Sequence, residues 1–272
     1  MGDTRGAPLL WLCRGATTMS STLQTPRRAV ATATVVGRGR LGRVLARALA
    51  AAGVEVTGPS GRDAPVEPAD VVLLCVPDAE IARVAATLRR GGGWVGHVSG
   101  ATGLTDAGVD FGLHPLQTFV GDEGPEVFCG IGCAVDGRTP AALEVAEELA
   151  VRLGAHPFRI DDDRRAGYHA AASIASNFTV TLLAAAERMA GTAGLDLAEA
   201  REVLAPLVRA TVENWAAHGP ETALTGPVAR GDSATVARQR EAIAAQAPEL
   251  LDLFDVLNTY TRELADRDGA AR

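Results

Sequence analysis

The chain has 272 residues, 47% apolar and 22% charged, with a formal net charge of −7. That balance belongs to a folded globular protein with room for two ordinary domains, and it excludes a disordered chain. The acidic excess and the scatter of the arginines exclude a nucleic-acid surface.

Residues 1–28 stand outside the pattern that follows. Pro8–Cys13 is apolar but too short for a signal peptide, so the segment reads as a disordered lead-in, with Met19 an alternative start. From Ala29 to Ile160 short apolar strands alternate with helical segments, the pattern of a parallel sheet covered on both faces. The first strand is Thr32–Val36, and Gly37, Gly39 and Gly42 follow it at the spacing G-x-G-x-x-G. These glycines allow a tight turn, a close backbone approach to a pyrophosphate, and close packing of helix on strand. The helix that follows, starting near Leu41, presents unpaired N–H groups and a partial positive charge to an anion. Gly37, Arg38, Gly39, Arg40, Leu41 and Gly42 are therefore candidate dinucleotide-binding residues.

The second strand, Val54–Thr57, ends in Gly-Pro-Ser-Gly-Arg with no acid at its tip. An NAD binder carries Asp or Glu there for the ribose hydroxyls. Ser60 and Arg62 stand instead where a hydroxyl and a guanidinium hold a 2′-phosphate, so the expected cofactor is NADP. Asp70–Val76 is a continuous apolar strand, stopped by Pro77, and Asp78 is placed to cap the helix Ala79–Leu88. Val76 and Pro77 flank the cofactor at that strand end. Strands follow at Trp94–Ser99, Phe111–His114, Gly132–Val135 and His156–Ile160, with a helix over Ala141–Leu153. Ser99 (in HVSGATG) and His114 (in GLHPLQTF) close their strands, at the edge where open α/β sheets bind ligands.

From residue 161 the pattern is helical throughout. Ala166–Ala190 carries His169, Ser173 and Asn177 at i, i+4, i+8, a polar stripe among alanines that suits a substrate cleft. Asp196 and Glu199 have capping-box spacing at the head of a helix to Ala217, which Pro206 is expected to kink or divide. The loop before the next helix, LTGPVARGD, offers Thr225, Arg230 and Asp232 for a carboxylate substrate, with Asp232 equally placed to cap that helix. The expected organisation is a lead-in at 1–28, a dinucleotide-binding domain at 29–160 and a helical domain at 161–272.

Two absences narrow the chemistry. Every one of the 26 basic residues is arginine, which excludes Schiff-base catalysis and a lysine acid. Cys13, Cys75, Cys129 and Cys133 lack zinc-ligand spacing, so no metal is expected. They read as structural thiols in a reducing cytoplasm. No apolar run approaches the roughly 20 residues of a membrane span.

The motifs VVGRGRLG, HVSGATG, GLHPLQTF, YHAAASIASNF and LTGPVARGD, in this order across Ala31–Asp232, resemble a family of Rossmann-like proteins whose C-terminal half is a domain of unknown function. In plan that family is similar to pyrroline-5-carboxylate reductase, ketopantoate reductase and the 6-phosphogluconate dehydrogenase-like enzymes. The resemblance implies an NADP-binding Rossmann-type doubly wound sheet, an all-α domain that forms a homodimer, and reduction of a small carbonyl or imine acid. Ketopantoate is the lead substrate. The resemblance also marks a departure, because ordinary ketopantoate reductases and the hydroxyacid dehydrogenases place a lysine on the long helix and this chain offers His169, Ser173 and Asn177 instead. His169 or His114 is then the expected proton donor, with Ser173 and Asn177 orienting the substrate and Arg230 binding its carboxylate. Two alternatives stand beside this reading, a non-catalytic dinucleotide-binding sensor and a deazaflavin–NADP oxidoreductase.

Overall fold

Strand β1 (Thr32–Val36) sits within a seven-stranded sheet whose other members are β2 (Glu55–Ser60), β3 (Val71–Leu74), β4 (Trp94–His97), β5 (Phe111–Pro115), β6 (Gly132–Gly137) and β7 (His156–Arg159). The computed structural model describes residues 29–88 and 91–271, so the expectations for residues 1–28 fall outside the described residues. The order is β2-β1-β3-β4-β5-β6-β7, and the chain reverses its direction of travel between β1 and β3. Open α/β sheets bind ligands beyond the carboxyl ends of the strands at such a switch point, and the glycine loop follows β1 at that edge. One part of the sheet departs from expectation. β6 runs antiparallel to β5, and β7 then pairs parallel with β6. The cause is the β5–β6 connection, which contains only the 3₁₀ turn Pro125–Phe128 and no crossover helix.

Period-two alternation splits the core between the two faces. Ala33 and Val35 of β1 and Leu73 of β3 join Val44, Leu45, Ala48 and Leu49 of α1 (Arg40–Ala51) on one face. Helix α4 (Pro140–Arg152), capped by the Thr139 hydroxyl, closes that face through Val145, Ala146 and Leu149. Val36, Val72, Leu74 and Val95 face the other way, onto Ile81 and Val84 of α2 (Asp78–Thr87) and Leu104 of the short α3 (Leu104–Ala107). Asp78 is the first helical residue of α2 and makes no cap; Pro77 holds the cap position. Leu45 and Leu49 are fully buried, worth about 1.5–3 kcal/mol each against exposure.

Beyond β7 the chain is helical: α5 (Arg165–Ser173), a π turn (Ile174–Phe178), α6 (Thr179–Thr192), α7 (Leu197–Ala223), α8 (Ser233–Gln246) and α9 (Leu251–Ala271). Two compact units result, Met1–Ile174 and Ala175–Arg272. The division falls after α5, past the 160/161 boundary read from the pattern change, because buried Arg165 ties α5 to the sheet. The Asp196–Glu199 capping box forms at the head of α7. Pro206 does not interrupt this helix; the break comes at Gly219, whose φ of 79° leaves the helical region. Averaged hydropathy makes Asp162–Thr192 long and apolar enough to cross a membrane, and none of its apolar window is buried. This corrects the expectation that no apolar run approaches span length, because alanines raise the average across a stretch that polar and charged residues interrupt. The second unit also exposes Phe178, Val180, Val203, Leu207, Trp215 and Tyr260.

Candidate active site

The glycine loop is built for close approach. Gly37 sits at φ 120°, and a Cβ there would lie 2.2 Å from the Cys75 carbonyl oxygen. A Cβ on Gly42 would lie 2.0 Å from the Gly37 carbonyl oxygen, so α1 packs directly on the turn. Gly39 differs: it is the N-cap of α1, it offers no side chain to the orphan N–H groups, and nothing lies within 4 Å of its would-be Cβ. Tight glycines on the protein side and an open one outward form the cradle a pyrophosphate requires. Arg38 and Arg40 are exposed beside it, Leu41 is half-buried, and the Arg38 carbonyl accepts from Arg43 Nη1 at 2.7 Å.

Strand β2 runs three residues further than the apolar pattern indicated and brings Ser60 into register with Val36. The Ser60 carbonyl accepts from Gly37 N at 2.8 Å, and its buried hydroxyl has no hydrogen-bond partner. Arg62, half-exposed, lies 3.5 Å from Glu80 in a group with Arg83 and Asp63. Val76 and Pro77 follow β3 next to the loop. Cys75, buried under it, has its thiol pushed up to about 12 by burial, which makes it inert packing. Cys133 is likewise free and raised to about 12 by burial. Cys129 is disulfide-bonded, which corrects the expectation of a thiol there.

The Ser99 hydroxyl is spent on its own turn. It accepts from Ala101 N and Thr102 N at 3.1 and 3.0 Å and lies 3.0 Å from Thr102 Oγ1. Its neighbour Gly100 has no room for a side chain, because the His114 ring lies 2.7–2.9 Å from where a Cβ would stand. His114, near the end of β5, places Nδ1 2.7 Å from the Tyr168 hydroxyl of α5. His169 is exposed, with its ring centroid 6.4 Å from that of His114. Burial first, then the charges of His169 and Arg165, lower His114 to about 4. Burial raises Tyr168 to about 12. Both are therefore uncharged near neutral pH.

Beneath this pair a buried arginine meets two partly exposed carboxylates, a network that sequence reasoning missed. Arg165, 3% exposed, reaches Asp162 at 2.8 Å and Asp136 at 3.3 Å. Burial opposes the charge on Asp162, but the Arg165 hydrogen bond and the Leu104 N–H hold its carboxyl below the usual range. His97, fully buried, accepts from Ser99 N on Nδ1 and leaves Nε2 without a partner. Burial lowers it to about 4. An apolar strand ending in a lone histidine, and an arginine three residues after an aspartate, were the only hints of this network in the sequence.

The other candidates are placed separately. His169 and Ser173 share a face of α5, but the π turn after Ser173 breaks the 3.6-residue period and takes Asn177 off the expected stripe. Asn177, Thr225, Arg230 and Asp232 belong to the second unit. Asp232 is the N-cap of α8 and accepts from Thr235 N at 3.0 Å. No metal-binding group of His, Cys, Asp and Glu occurs among the described residues. A cavity of about 460 Å³, lined by Thr32, Asp70, Trp94 and Glu148 among others, opens at the amino ends of β1, β3 and β4, away from this chemistry.

Residues 131–261 match the family model of a domain of unknown function, DUF2520. The match spans just under half of the chain. It begins in β6 and runs into α9, so it takes in Asp136, Arg165, Tyr168 and His169 while the glycine loop precedes it. Among solved structures, a Bacteroides fragilis protein described as a candidate NADP oxidoreductase is similar, with TM-score 0.72 and 22% identity over 86% of this chain and 98% of that one. A Thermotoga maritima protein has TM-score 0.70 and 25% identity, covering 87% and 99%. The NADP-bound pyrroline carboxylate reductase of Plasmodium falciparum has TM-score 0.56 and 9% identity, covering 86% and 98%. The fold is thus that of a Rossmann-type sheet followed by a helical region, and the matched residues run from the last two strands into the helices. No curated protein is significantly similar to the chain.

Proposed function

We propose that this chain is an NADP-dependent oxidoreductase acting on a small carbonyl or imine acid, with ketopantoate as the lead substrate. The observation that carries the reading is the cradle. Gly37 and Gly42 are closed against backbone while Gly39 is open, and the unpartnered Ser60 hydroxyl stands beside Arg62 where no acid is present. The fold it shares with the Bacteroides and Plasmodium proteins supports the same cofactor.

In this reading the α1 N-terminus and the 37–42 backbone hold the pyrophosphate, and Ser60 and Arg62 hold the 2′-phosphate. Val76, Pro77 and the Ser99–Thr102 turn border the nicotinamide. The cofactor supplies a hydride when bound. His114, Tyr168 and His169 border the reacting group at the carboxyl edge of the sheet, where Arg165 and Asp162 anchor their helix. Ser173, Asn177, Thr225 and Arg230 are carried as substrate residues, each open to test by substitution. Asp232 is already engaged as a cap. A homodimer formed through the second unit is part of the proposal, supported by that unit's exposed Val203, Leu207 and Trp215. The same need explains the apolar Asp162–Thr192 stretch without a membrane. A cytoplasmic location is part of the proposal, supported by the nicotinamide cofactor.

The test is binding and turnover. NADPH is expected to bind more tightly than NADH and to be oxidised with at least one of a panel of 2-oxo acids and cyclic imine acids. NADPH binding without turnover supports the sensor instead, turnover only with an added deazaflavin supports the deazaflavin oxidoreductase, and no binding overturns the whole reading.

A further inference from the structure

The His114–Tyr168 contact is more than packing. His114 is immobilised because Gly100 leaves its ring just enough space, and a Cβ there would collide with three ring atoms. Tyr168 is immobilised from two sides. Its ring meets Phe158 of β7 edge-on at 5.9 Å, and Arg165, one turn earlier on α5, is locked to Asp162 and Asp136. The two held groups meet at 2.7 Å through Nδ1 and the hydroxyl, and no described residue hydrogen-bonds to Nε2. This is the geometry of a relay, with one polar group at each end and one hydrogen bond between them.

We propose that the Tyr168 hydroxyl is the proton donor of the reduction and that His114 positions and recharges it. The inference rests on the reductase reading above. As hydride reaches the carbonyl or imine carbon, the π pair of the double bond moves to oxygen or nitrogen. The Tyr168 O–H bond breaks, and its proton goes to that atom. The phenolate left behind takes the proton on His114 Nδ1 as Nε2 takes one from water; after product leaves, Tyr168 returns a proton to Nδ1 and takes one from water while Nε2 releases its own, which restores the starting tautomer. In sum, hydride comes from the reduced nicotinamide and one proton from solvent. Since His114 is uncharged near neutral pH, it has no imidazolium proton to give, whereas the phenol carries one until strongly alkaline pH. An alkoxide is a stronger base than a phenolate, so the transfer runs downhill. The titratable or charged groups facing the pair are His169 and Arg165 on α5, Cys133 on β6 and Asp78 at the head of α2.

Three measurements test this. Tyr168→Phe is expected to lower kcat on the order of 10²-fold or more while leaving NADPH affinity unchanged. In the unloaded protein, ¹⁵N NMR is expected to find His114 as the Nδ1–H tautomer, reverting on Tyr168→Phe to the Nε2–H form. Should Tyr168→Phe fail to fold, 3-fluorotyrosine serves in a Tyr260→Phe background, since the chain has two tyrosines. It is expected to move the alkaline limb of the kcat–pH profile to lower pH. An Nε2–H ring in the wild type, an unchanged kcat, or an unmoved limb overturns the proposal. A wild type that reduces nothing sinks the reductase reading, and the tautomer then judges the pairing on its own.

Discussion

His97→Asn isolates the cost of burying a titratable ring under the site. Asn Oδ1 can accept from Ser99 N as His97 Nδ1 does, at 3.2 Å, but it cannot take a proton. In the folded protein His97 titrates at about 4, and in the unfolded chain near its ordinary 6.5. Between these values the unfolded state binds the extra proton, so stability is full above pH 6.5 and is lost as pH falls toward 4. From pH 7 to pH 5 the linkage amounts to about 2 kcal/mol for this ring. The assay is urea unfolding at both pH values, followed by Trp94, which shares β4 with His97, after Trp11→Phe and Trp215→Phe. The variant should lose about 2 kcal/mol less than its parent on acidification. Equal losses in the two proteins would refute the buried, neutral ring.

The remaining predictions concern the cradle and its support. Gly39→Ala adds a Cβ to open space, so the melting temperature should hold while NADPH affinity falls at least tenfold; retained affinity would mean that no pyrophosphate lies there. Arg62→Ala should cost NADPH about ten- to a hundredfold in Kd and leave NADH unchanged, because a charge-assisted hydrogen bond contributes about 1.5–3 kcal/mol. An equal loss for both dinucleotides would remove the 2′-phosphate assignment. Arg165→Met removes the buried guanidinium from two partly exposed carboxylates and should destabilise the first unit by about 1.5–3 kcal/mol in urea unfolding. A loss under 1 kcal/mol would show that the network is dispensable.

Local patterns made most of the first unit readable. The glycine spacing, the apolar runs of β1 and β3, and the Asp196–Glu199 capping box each depend on neighbours within a few residues. What escaped depends on partners far along the chain. Arg165 reads as a surface arginine until Asp136, 29 residues earlier, is seen beside it. Tyr168 gains its meaning from His114, 54 residues away. The antiparallel turn of β6 is set by a missing crossover helix, which strand propensity does not report. Pro206 does not divide α7, because the helix absorbs the proline; the backbone leaves the helical region at Gly219, where the sequence pattern also ends the helix.

The central claim is that this cradle selects NADP for a reduction. Titrating the wild type with NADPH and NADH, then adding 2-oxo acids and cyclic imine acids while following the reduced nicotinamide's absorbance, tests it most directly. The account predicts tighter NADPH binding and loss of absorbance with at least one acid. Equal affinity for the two dinucleotides, or no loss with any acid, would contradict it.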